Sequence, residues 1–71
     1  MKIPELINDL YGIMDESPLS IPLKVIDGNE ILFGMIQDKH IIRHIADGRR
    51  IKRWALYNDH SELIIELEVE Q

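Results

Sequence analysis

The chain contains no cysteine and no threonine, and only 6% of its residues are aromatic. Without cysteine it can form neither a disulfide nor a thiolate metal site, so a small core or a partner must supply its stability. Ser17, Ser20 and Ser61 are its only serines, and none lies in a nucleophile-elbow setting. Gly12, Gly28, Gly34 and Gly48 are isolated from one another, which excludes a glycine-rich phosphate cradle. Long apolar runs are missing as well: no stretch approaches the ~20 residues that span a bilayer. Near the start, Glu5 and Asp9 interrupt any run that could serve as a signal peptide. These absences predict a cytoplasmic protein that is not an enzyme and has no cofactor.

What is present is an ordinary globular composition, 45% hydrophobic and 30% charged over 71 residues, read as a single domain, 1–71. A chain of this length buries only about 60% of the surface its unfolded form exposes, so its stability is marginal. Charge is strongly segregated. Lys39, Arg43, Arg49, Arg50, Lys52 and Arg53 are six of the eight bases, and their window holds one acid, Asp47. The rest of the chain carries twelve acids against Lys2 and Lys24, and the total is −5.

Ile3, Leu6, Ile7, Leu10, Ile13 and Met14 repeat at helical spacing, which predicts an amphipathic helix over about 3–16, stopped by Ser17-Pro18. Two apolar runs, 21–26 and 31–36, flank Asp27-Gly28-Asn29 and predict a hairpin. In the last segment Leu63, Ile65, Leu67 and Val69 alternate with Glu62, Glu66, Glu68 and Glu70, with Ile64 alone breaking the acidic side. The expected fold is α+β, an N-terminal amphipathic helix packed on a four- to five-stranded antiparallel sheet. The basic window admits two readings. As strands, 40–46 and 49–57 form a second hairpin around Asp47-Gly48; as helices, residues 39–57 outline a helix-turn-helix. Isoleucine richness, Asp-Gly and the Asn58-Asp59 turn favour strands.

Arg49, Arg50, Lys52 and Arg53, with Trp54 and Tyr57 close by, are candidate partner-binding residues. Guanidinium forks match phosphate or carboxylate, and an aromatic ring can stack on a base or anchor an interface. The alternative is a solvated strand whose charges balance acids elsewhere in the molecule. Glu66, Glu68 and Glu70 form a second candidate set. They recur about 6.5–7 Å apart on a strand, comparable to phosphate spacing, so they could imitate nucleic acid or simply protect a sheet edge. On a helix, His40 and His44 share a face at a spacing that can hold zinc, but no acid completes a metalloprotease pattern and no cysteine is present. On a strand they stand about 13 Å apart, too far to share an ion, so His40, His44 and His60 are read as structural or surface histidines.

The opening, from Met1-Lys2-Ile3-Pro4-Glu5 to the strand around Val25-Ile26-Asp27-Gly28, resembles small phage- and prophage-encoded accessory proteins of unknown function. The resemblance covers the first thirty or so residues and implies one helix against a few antiparallel strands. Its motifs are of low specificity, and it assigns no functional residue. A helix followed by a strand with Asp-Gly is also similar to small Sm-type barrels, but Gly34 falls one residue late and no RNA-binding motif follows.

These features predict a small binding protein that occupies a partner's surface, for instance an anti-CRISPR-like inhibitor of a host nucleic-acid enzyme or defence complex. Its partner is expected to be a protein. Nucleic acid held by the 49–54 cluster is the second reading, and a homo-oligomeric assembly module joining basic to acidic faces the third. No membrane is expected.

Overall fold

Ile3, Leu6 and Leu10 recur every three to four residues, and each is fully buried along one side of the first helix, α1 (Ile3–Leu10). Pro4 occupies the first turn, where a missing N–H costs nothing, and the backbone N–H of Lys2 donates to the Glu5 carboxylate at 3.1 Å. The structure, a computed structural model, describes residues 1–69. The helix stops six residues before the expected 16. At Tyr11-Gly12-Ile13 the chain tightens, with Gly12 N–H donating to Asp9 O and Ile13 N–H to Leu10 O. Met14 still reaches the core, so the apolar spacing is real although the helix itself ends early. A single 3₁₀ turn, Pro18–Ser20, leads into the sheet.

Four strands follow, β1 (Leu23–Asp27), β2 (Glu30–Gly34), β3 (Ile51–Tyr57) and β4 (Glu62–Leu67), and the second helix, α2 (Lys39–Ala46), lies between β2 and β3. The expected first hairpin is present. Asp27 pairs with Glu30, and Gly28 at φ 62° supplies the positive dihedral that a tight two-residue hairpin loop needs. The sheet order is β2-β1-β4-β3, with β1 antiparallel to β2, β3 antiparallel to β4, and β1 parallel to β4 at the centre. This corrects the expectation of a wholly antiparallel sheet of up to five strands. With α2 inserted between the hairpins, the chain crosses over and places its first and last strands side by side.

Residues 39–57 match neither reading in full. The first half is helical, the second half is strand β3, and there is no helix-turn-helix. Gly48 decides the difference. At φ 69° it stands just past the end of α2, its N–H donates to Ile45 O, and the N–H of Arg49 donates to His44 O. Those two bonds form a Schellman helix end, so the glycine closes a helix instead of turning a hairpin. Arg43 and His44 in the last turn complement the negative helix terminus. Ile41 of α2 is fully buried.

The core joins α1 and Ile41 to the inner side of the sheet, where Leu23, Val25, Leu63, Ile65 and Leu67 are buried and Leu32 and Leu56 pack around them. Leu63, Ile65 and Leu67 alternate inward as predicted, whereas Val69 lies exposed beyond the strand. Gly34 closes β2 against the loop before α2. A Cβ there would collide with the Asp38 carboxylate, which accepts a hydrogen bond from Met35 N–H at 2.8 Å. Gly34→Ala is therefore expected to lower stability by about 1–2 kcal/mol, readable as a reduced urea midpoint, because the Asp38 bond must be displaced. An unchanged midpoint would show that the loop yields freely.

Candidate functional site

Successive side chains of a strand point to opposite faces, so burying Leu23, Val25, Leu63 and Ile65 turns their neighbours outward. The register gives the order of that outer face. Phe33 pairs with Lys24, Lys24 with Ile64, and Ile64 with Ala55, forming one straight row across all four strands. A second row runs Ile31, Ile26, Glu66, Arg53, and a third begins with Glu62 and Tyr57. Among the described residues, no helix packs on these rows, since α1 and Ile41 of α2 join the core on the inner side. Phe33 is 68% exposed, Ile31 50% and Tyr57 51%. Lys24 Nζ stands 5.8 Å from the centroid of the Phe33 ring, within cation–π range. Where β1, β4 and β3 meet, Ile26, Ile64, Arg53, Trp54, Ala55, Tyr57 and Glu66 line a shallow hollow of about 110 Å³.

The basic cluster is largely engaged within the chain. Between Ile51 and Arg53 the β3–β4 register shifts, and two consecutive cations meet one carboxylate. Arg53 Nε lies 2.9 Å and Lys52 Nζ 3.8 Å from Glu66. Arg49 points elsewhere: it donates from both terminal nitrogens to the Asp27 carboxylate, at 2.9 and 2.7 Å, and from one of them to Glu68 O at 2.9 Å. Its hydrogen bonds, against the opposing effect of burial, hold the Asp27 carboxyl below the ordinary carboxylate range, and the charges of Arg49 and His44 reinforce the shift. Arg50 is exposed beside Lys2, with which it forms an isolated bridge. Arg49, Lys52 and Arg53 thus meet two acids of the same molecule, Asp27 and Glu66, with one positive charge in excess.

Of the remaining predicted residues, Trp54 stands opposite Ile65, on the inner side at the edge strand, and is 37% exposed. Tyr57 lies on the outer face. The acidic ladder is uneven: Glu66 is bound by two cations, Glu68 is exposed past the end of β4, and Glu70 lies outside the described residues. On α2, His40 and His44 are one turn apart, closer than a strand would allow. His40 Nε2 lies 3.1 Å from Phe33 O, which can only accept, so that nitrogen carries the proton. His44 Nδ1 lies 3.5 Å from Arg49 Nη1. Among the described residues, no three His, Asp or Glu side chains are grouped to hold a metal ion. No described helix is long and apolar enough to cross a membrane.

Sequence reasoning missed Lys24, Ile26, Ile31, Phe33, Ala55 and Ile64 as members of a surface. The signal was there in Val25-Ile26, Ile31-Leu32-Phe33 and Ile64-Ile65, apolar pairs and triplets that break strict alternation and leave hydrophobic groups on both faces. No family model, no curated protein and no solved structure matches the chain.

Proposed function

We propose that this chain is a small non-catalytic binding protein that acts by occupying a protein partner's surface, and that it presents the outer face of its sheet. The uncovered row of Phe33, Ile64 and Ala55, with Ile31 and Tyr57 beside it, carries the reading. Exposed apolar surface rimmed by charge is what interaction sites present, and aromatic side chains such as Phe33 and Tyr57, here on the two edge strands, are the usual anchors. Protein is favoured over nucleic acid because Glu66 already holds Lys52 and Arg53, and Asp27 holds Arg49. A chain of net charge −5 also repels phosphate. A phage-type inhibitor of a host nucleic-acid enzyme or defence complex, acting in the cytoplasm, is the narrower form of this proposal. With Glu66 engaged, we place the contact on the sheet face and not on the acidic ladder.

A photo-crosslinking amino acid at position 33 tests the proposal against the same group at Asn8, exposed on α1. Irradiation in a nuclease-treated lysate is expected to give protein adducts from 33 and not from 8. Equal labelling from both positions, or adducts to nucleic acid fragments alone, would remove the support for a protein-binding sheet face.

A further inference from the structure

Resting on that reading of the outer face, we propose that its occupant is a second copy of this chain. The two sheets stack face to face about a twofold axis that runs along the strands between β1 and β4. Such an axis exchanges β2 with β3 and β1 with β4, so each residue meets the one at the same level on the exchanged strand. Phe33 then stands over the partner's Ala55, because both belong to the one straight row. The most exposed apolar side chain of the face thereby meets the smallest, beside the hollow lined by Ile64, Ala55 and Tyr57. A face that pairs with itself must carry its own complement, and large opposite small at symmetry-related positions provides it.

The charges agree. Lys24 falls opposite the partner's Ile64, between Glu62 and Glu66, which lie two residues to either side on the same strand face. In the second row the same axis lays the partner's Ile26 and Ile31 over the Glu66–Arg53 ion pair. The face as a whole carries Lys24, Lys52 and Arg53 with Glu62 and Glu66, close to balance although the whole chain is −5. A surface matched in this way does not repel its copy, whereas the acidic remainder does, which limits association to this face. Four strands about 4.8 Å apart, each with about five residues rising ~3.3 Å, make a face of about 300 Å² in projection. With the relief of the side chains on both copies included, the pair buries on the order of 1,000 Å², the lower end of specific interfaces, so the dimer is expected to be weak and reversible.

Sedimentation equilibrium of the free protein, over about two decades of concentration around 50 µM, tests the geometry through a size exchange. Wild type should move from one chain's mass toward twice that mass. Phe33→Ala and Ala55→Phe should each weaken association about tenfold, the first by removing the knob and the second by filling the site it enters. The double variant Phe33→Ala/Ala55→Phe should recover most of the lost affinity, because the axis brings the two positions together. Circular dichroism of each variant confirms that the fold is kept. Single-chain mass for wild type at every concentration, or additive losses in the double variant, would overturn the proposal. A monomer that still forms a position-33 adduct with another protein would overturn the second copy alone and leave the protein-binding face standing. A monomer that binds an RNA oligonucleotide with steep salt dependence would overturn both.

Discussion

Replacing Arg49 with methionine is expected to lower the folding free energy by about 2–3 kcal/mol, read from urea unfolding at pH 7. One guanidinium joins three parts of the chain. Asp27 closes β1, Arg49 lies between α2 and β3, and the Glu68 carbonyl follows β4. Their side chains are only 16% (Arg49) and 22% (Asp27) exposed, so methionine keeps the apolar stem but leaves a mostly desolvated carboxylate without its bidentate partner. Residual exposure keeps the loss below that of a fully buried pair. The pH dependence has a defined sign. Asp27 has a folded pKa lowered from 3.8, so its stabilisation is fully present above that value and is lost as pH falls through the folded pKa. The gap between wild type and variant should therefore be constant at neutral pH and close in acid. A gap that persists at the lowest pH would assign the effect to packing.

Leu6→Ala is expected to cost more, about 3 kcal/mol. Leu6 is fully buried, and it is the middle member of the buried stripe Ile3, Leu6 and Leu10 that holds α1 to the core. Eight residues are too few for a helix to persist alone in water, so α1 exists because its stripe is buried. The cavity under Leu6 should loosen Ile3 and Leu10 together. Amide exchange across α1 would then become faster than exchange through global unfolding. Asn8→Ala, on the exposed side of the same helix, is the control and should change stability by no more than about 0.5 kcal/mol. A Leu6→Ala protein with wild-type stability would mean that α1 contributes little to the core.

Much of this fold was legible in the sequence, and particular residues show where legibility ended. Ile3, Leu6 and Leu10 announced a helix, and Leu63, Ile65 and Leu67 announced a strand, because each face meets the same core along its whole length. The segment His40–Ala46 was harder. Ile41 and Ile45, four apart, share a face on a helix or on a strand, and β-branched residues favour strands only weakly. Gly48 supplies a positive φ in either structure, so the residue that looked diagnostic of a hairpin was equally suited to a helix end. The parallel pairing of β1 with β4 has no local signal, since it follows from where α2 carries the chain. The candidate site was legible in part. Tyr57 and Glu66 could be singled out by type, but the row from Phe33 to Ala55 exists only once the register is known. The basic run read as one patch, yet the bulge at Lys52-Arg53 and the reach of Asp27 direct its members to different acids.

The central parallel pair also governs the order in which this molecule can assemble. Leu23 lies beside Leu63, forty positions later in the chain, while each hairpin closes over a few residues. During synthesis β1 and β2 can meet early, but β1 keeps one edge open until β4 has emerged. Closing that seam is the slow, non-local step of folding. Until then β1 has no strand at its β4 side although α1 can already line its inner face, and the nascent chain is most exposed to misassociation along that open edge.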